Sequence, residues 1–427
     1  MSNLDTDTHE PVMASIQEVE QLKTLRPVPR ISIQAFCETD GVAKLLERAS
    51  ADRRMAKTHC KVLSGGLAGA AEYYQSAPTP NLIIVETRKE PSALMEALQP
   101  LAEVCDPSSK VVIIGHHNDV ALYRELIRNG IAEYIVAPIA LADIMATISS
   151  LFVDSEAPPL GRSIAFVGAK GGVGSSTLCH NVGWAISNLF ESDVVVGDMD
   201  LPFGTANINF DQDPAQGMAE AVFSPERIDE VYLDRLLAEC SERLSLLAAP
   251  STLDRTYDFD GDAFSAIIDI AQRTAPVVVL DVPHCWNAWT QSTLTMADEV
   301  VIVAAPELAN LRNTKNLLDT LLKARPNDQP PRLVLNQVGM PKRPEISIRD
   351  FCEPLDLDPI AVIPFDPQLF GSAANNGRML GEMDAANPIS AVINEMSHIL
   401  TGRAEVKARA KRGLGSFFGS LKRKKSA

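Results

Sequence analysis

Lys170-Gly171-Gly172-Val173-Gly174-Ser175-Ser176-Thr177 is the stretch of this sequence best suited to chemistry. Its glycines let successive backbone amides turn toward one point, and such a nest binds a phosphate. The apolar run Ser163-Ile164-Ala165-Phe166-Val167 enters the loop, and Leu178 to Phe190 reads as a helix leaving it. The positive end of that helix adds to the attraction for an anion. Ser176 offers a hydroxyl placed to ligate Mg²⁺. Two acidic patterns stand at suitable distances. Val277-Val278-Val279-Leu280 reads as a buried strand with Asp281 emerging at its carboxyl end, where open α/β sheets bind ligands. Gly197-Asp198-Met199-Asp200 places two more carboxylates at the end of another strand-like run.

These residues need a scaffold, and the apolar runs describe one. From Arg162 the expected strands are Ile164–Val167, Val194–Gly197, Ser245–Ala248, Val277–Leu280, Glu299–Val303, Arg332–Leu335 and Ala361–Ile363, with segments between them long enough for helices. Apolar strands alternating with helices predict a parallel sheet covered on both faces. A similar, shorter series precedes it: Ile31–Phe36, Leu82–Val85, Val111–Ile114 and Tyr134–Val136, with helical patterns over Pro91–Val104 and Val120–Asn129. The fold class is therefore α/β, with two doubly wound parallel-sheet domains. The boundaries expected are a flexible leader over 1–28, a first domain over 29–153, an acidic, proline-rich linker over 154–161, a second domain over 162–402 and a basic tail over 403–427.

At roughly 100–200 residues per domain, 427 residues fit that division. No apolar run reaches the ~20 residues needed to cross a bilayer. Met1-Ser2-Asn3-Leu4-Asp5 lacks the basic start of a secretion signal, so the cytosol is the expected compartment. Seven scattered cysteines, without a Cys-x-x-Cys pair, argue against a disulfide framework or zinc ribbon and are expected mostly as small buried residues. The pair His116-His117 reads as a surface loop rather than a metal site.

The net charge of −16 argues against nucleic acid as a partner of the body of the protein. The tail differs: nine basic residues stand against Glu405 alone, and Leu414, Phe417, Phe418 and Leu421 fall on one helical face. Such a segment suits an anionic membrane surface. A solvated tail and charge-driven DNA binding are the competing readings.

The loop resembles the deviant Walker A motif of the ParA/MinD superfamily, whose first lysine is matched by Lys170. In that family this lysine reaches across a dimer to the partner's nucleotide. The resemblance implies ATP and Mg²⁺ as ligands, held by Gly171, Gly172, Val173, Gly174, Ser175, Ser176 and Thr177, with Ser176, Asp198 and Asp281 around the metal and Asp200 positioning the attacking water. It also places Asn336, Pro364, Phe365 and Asp366 around the base. One departure stands out. The family has a second lysine just before the Ser/Thr, and this sequence has Ser175. Loss of that charge weakens the case for hydrolysis more than the case for binding.

The first domain resembles a response-regulator receiver without its chemistry. Its third strand ends in Glu86 rather than aspartate, and Ala137 stands where a receiver has lysine; Glu38 and Asp40 remain as the acid pair. Together with Pro364-Phe365-Asp366-Pro367 and Ala373-Ala374-Asn375-Asn376-Gly377, these features resemble the CpaE/TadZ proteins of Flp/Tad pilus assembly. That resemblance implies a homodimeric, slowly hydrolysing ATPase at the inner membrane or cell pole, working with pilus assembly or secretion components. The alternatives are a scaffold that holds ATP without hydrolysing it, and a partition-type ATPase that positions DNA.

Overall fold

The computed structural model describes residues 16–153, 160–253 and 255–403. They divide into two compact units, one built from the chain up to 157 together with 325–329, the other from 158 onward without those five.

The first unit carries β1 (Ser32–Cys37), β2 (His59–Ser64), β3 (Leu82–Glu86), β4 (Lys110–Gly115) and β5 (Glu133–Val136) in the order β2-β1-β3-β4-β5. All pairs are parallel. Side-chain alternation explains why the central runs are apolar throughout. Leu82 and Ile84 enter one core, Ile83 and Val85 the opposite one. The helices are α1 (Ile16–Lys23), α2 (Asp40–Ser50), α3 (Gly66–Tyr73), α4 (Pro91–Val104), α5 (Val120–Arg128) and α6 (Leu141–Phe152).

Helix α1 corrects the expected leader. Residues 16–23 are helical, with Val19 and Leu22 buried, and Val28 is buried beyond them. Eight residues with few apolar positions give too weak a periodic signal to separate from a polar leader. Residues 1–15 and the tail from 404 lie outside the described residues, as do 154–159 of the linker. Gly161, assigned to that linker, is buried instead, and its amide donates to the Gln272 carbonyl at 2.6 Å.

The second unit carries β6 (Arg162–Gly168), β7 (Val194–Asp198), β8 (Ala238–Ser241), β9 (Leu244–Leu247), β10 (Val277–Val282), β11 (Glu299–Ala304), β12 (Arg332–Val338) and β13 (Pro359–Pro364). Their order is β13-β12-β11-β6-β10-β7-β9-β8, parallel except for the antiparallel edge pair β8/β9. Again the pleat divides the cores: Ala165 and Val167 face one, Ile164 and Phe166 the other. Helix α7 (Ser175–Phe190) follows β6, and a four-residue helix, α8 (Ala206–Asn209), follows β7. Among the described residues no helix is long and apolar enough to cross a membrane. Of the cysteines, Cys37, Cys179 and Cys352 are buried, Cys60, Cys105 and Cys240 are half-buried and Cys285 is exposed.

Candidate functional site

The phosphate loop runs from the end of β6 into α7. Its bend depends on Gly174, at φ +86°, where a Cβ would stand 2.6 Å from the Asn336 amide nitrogen. Side chains from distant segments hold the loop's carbonyl groups. His284 Nδ1 lies 2.8 Å from the Gly168 carbonyl, and Asn313 Nδ2 donates to that of Ala169 at 2.8 Å. Gln337 Nε2 donates to Gly172 and Asn336 Nδ2 to Val173, both at 2.8 Å. Among the described residues, no backbone carbonyl or side chain accepts from the amides of Gly171, Gly172, Val173 or Gly174. The first amides of α7 are likewise left over by helix geometry. A loop with its carbonyls tied back and its amides free is an anion cradle.

Two carboxylates meet beside it. Asp198 ends β7 and Asp281 lies on β10, as direct partners in the parallel register, and both are buried. Asp198 Oδ1 accepts from the Asp200 amide at 3.1 Å and Oδ2 from the Ala206 amide at 3.0 Å. Burial and then the charge of Asp281 push the Asp198 pKa up to about 7, while His180 and the two amides act the other way. Asp200 is also raised, by burial foremost, against the Phe203 amide that bonds it. Two buried carboxylates side by side, with oxygen atoms as the donors, fit a hard divalent cation. Ser176 lies in the first turn of α7. The hydroxyl of Ser175, which stands in the place of a lysine, is buried without a protein partner.

Lys170 is half-exposed, and its Nζ lies 3.2 Å from Glu307 Oε2. Glu307 is shared with Asn310, at 3.2 Å, and with Arg343, at 3.6 Å. Asn336, expected beside a base, is buried and braces the loop through Val173. Asp366 caps the helix Pro367–Asn375 by accepting from the Leu369 amide at 2.9 Å, and the Phe365 amide bonds the Val338 carbonyl at 2.8 Å. Pro364 closes β13. The Ala373-Ala374-Asn375-Asn376-Gly377 stretch is the end of that helix. Gly377, at φ +59°, turns the chain against α8, where a Cβ would lie 3.0 Å from the Ile208 carbonyl.

Sequence reasoning missed His180, His284, Glu307, Asn313 and Gln337. Only His180 carried a signal, as a histidine inside an otherwise apolar helical run. It is fully buried in α7, with Nε2 3.3 Å from Asp281 Oδ2.

In the first unit, Glu86 is buried at the carboxyl end of β3. Its Oε2 accepts from the Glu38 and Thr39 amides, both at 2.8 Å, and its Oε1 from the Thr39 hydroxyl at 2.7 Å. His116 Nε2 lies 3.1 Å from Oε1. Burial raises the carboxyl, but the bonds from Thr39, Glu38 and His116 outweigh it and hold the pKa below its ordinary value. Glu38 accepts from the Arg88 amide at 3.0 Å.

The fold and the loop define a P-loop protein of the ParA/MinD type. A ParA family ATPase from Chlorobium tepidum TLS superposes with a TM-score of 0.51, at 23% identity, over 55% of this chain and 98% of that one. MinD, the septum site-determining protein of Bacillus subtilis (strain 168), is 24% identical over 259 residues, 57% of this chain and 91% of its own length. A solved chain of the pilus assembly protein CpaE of Caulobacter crescentus CB15 is 45% identical, over 30% of this chain and 98% of that one, with a TM-score of 0.30. Identity over nearly the whole of that solved chain, rather than the superposition, shows the family: the chain belongs to the CpaE/TadZ family within the ParA/MinD superfamily. No protein-family model matches it.

Proposed function

We propose that the second unit binds MgATP and that binding pairs two copies of the chain, which then organise pilus assembly of the Flp/Tad kind at the inner membrane or cell pole. The observation that carries this reading is the phosphate loop with its carbonyls tied back and its amides free. Asp198, Asp281 and Ser176 would hold Mg²⁺, which when bound supplies charge stabilisation to the phosphates. Asp200 would orient water, and Asn336, Pro364, Phe365 and Asp366 would border the base. Pairing of two copies is supported by exposed apolar residues after successive parallel strands. Phe203, Leu253, Trp286 and Leu308 follow β7, β9, β10 and β11 at the sheet edge that also carries the loop. Lys170 sits on the same edge with its amine half-exposed and would reach the partner's phosphates. The pilus role rests on kinship with the CpaE protein, and membrane attachment rests on the tail from 403 to 427.

Light scattering on the purified chain, with and without MgATP, tests the reading. Dimers are expected with nucleotide and only monomers for Lys170→Ala. Dimers that persist in the variant would refute Lys170 as the bridge. A second reading, a scaffold that holds ATP without hydrolysing it, is favoured by Ser175, whose hydroxyl cannot replace an ammonium group. Phosphate release no faster than that of Asp200→Ala would decide for the scaffold.

A further inference from the structure

We propose that His180 is a positioning residue that links the Asp281 carboxylate to the segment after β7, so that the charge held at the metal site sets how firmly α8 is pinned. The inference rests on the MgATP reading above.

His180 is buried in α7 between Asn209 and Asp281. On one side, Asn209 Nδ2 lies 3.0 Å from Nδ1. An amide NH₂ donates, so Nδ1 accepts and a ring proton sits on Nε2. On the other side, Nε2 stands 3.3 Å from Asp281 Oδ2, within ion-pair distance but out of line for a hydrogen bond. The Phe210 ring packs beside the imidazole, with centroids 5.5 Å apart. Asn209 is the last residue of α8, whose first residue, Ala206, donates its amide to Asp198. Asp198 therefore holds this short helix directly at its start, and the field of Asp281 acts at its end through the His180 ring.

The physical consequence has a direction. A carboxylate facing an imidazole N–H raises the basicity of the other ring nitrogen. While Asp281 keeps its full charge, Nδ1 is a strong acceptor and Asn209 is held. A divalent cation that takes up the Asp281 charge weakens Nδ1 as an acceptor and loosens α8. The segment presents Phe203 and Ile208 to solvent, at 72% and 59%. Site occupancy would thus be conveyed to a surface that a partner can touch.

Hydrogen exchange of residues 205–211 in the full-length chain with ADP, in EDTA or saturating Mg²⁺, tests the link. For the native chain, Mg²⁺ is expected to speed exchange about threefold. His180→Ala and Asn209→Ala should exchange fast in both conditions. Asn209 is only half-buried, so its variant serves if His180→Ala fails to fold. A native-like Mg²⁺ response in a folded variant would overturn the proposal. Nucleotide binding is followed separately by fluorescence of a labelled ADP. Binding by the native chain with an unresponsive segment would overturn the link alone. No binding at all would overturn the MgATP reading and the link with it.

Discussion

Asp198 should make the second unit less stable as pH rises. Its pKa moves from 3.8 to about 7 in the fold, through burial and the neighbouring Asp281. The folded state therefore keeps a proton that the unfolded chain releases near pH 4. The carboxyl costs nothing below that pH, and its cost grows as pH rises through 7. At about 1.4 kcal/mol per pH unit, the full span is ~4 kcal/mol, and the part between pH 5 and 8 is roughly 2–3 kcal/mol. Urea unfolding in EDTA at a series of pH values would read this directly. Trp184, Trp286 and Trp289 all belong to the second unit, so tryptophan fluorescence reports that unit alone. Asp198→Asn should flatten the pH dependence. It should also be less stable at low pH, because one amide oxygen cannot accept from both Asp200 and Ala206. An undiminished slope in Asp198→Asn would refute the assignment of the proton to this pair. Mg²⁺ must displace the same proton, so metal-dependent nucleotide binding should weaken about fivefold from pH 7 to pH 6.

Other perturbations follow from the geometry. Gly174→Ala places a Cβ at positive φ and 2.6 Å from Asn336, so it should cost about 1–3 kcal/mol in urea unfolding and abolish binding of a fluorescent nucleotide. Glu86→Gln turns an NH₂ group toward donors that now meet a carboxylate. A loss of about 1–3 kcal/mol is expected in the first unit, read by hydrogen exchange of β1 and β3. Lys170→Ala should leave unfolding within ~1 kcal/mol of the parent, since its pair with Glu307 is half-exposed; a larger loss would make the lysine structural. Phe417→Glu combined with Phe418→Glu should abolish cosedimentation with anionic liposomes, and undiminished pelleting would show that charge alone attaches the tail.

The central strands were legible because burial on both faces leaves continuous apolar text, as in Val277–Leu280. Two of the four edge strands, β2 and β8, were not. Strand β2 alternates half-buried and exposed residues, with Lys61 and Ser64 in the run, and β8 is four residues long. Helix α8 is shorter than two turns and has no period to read. The glycine loop and the two aspartate segments were legible because each is contiguous in the chain. The groups that shape the loop were not, because His284, Asn313 and Gln337 reach it from segments more than 100 residues away. Asn336 was found, as a contact for a base; the bond of its amide nitrogen to the Val173 carbonyl was not. No spacing rule connects such residues; only the order of the strands brings them together.

The bracing of the loop from outside has a thermodynamic consequence. Four side chains on fixed elements already hold the Gly168, Ala169, Gly172 and Val173 carbonyls in place. A nucleotide arriving here meets a cradle whose backbone has little conformational entropy left to lose. Its capture should be quick, limited by encounter rather than by rearrangement, with a small heat-capacity change at the phosphates. Loosening any brace would show first as a slower on-rate, before the off-rate changes.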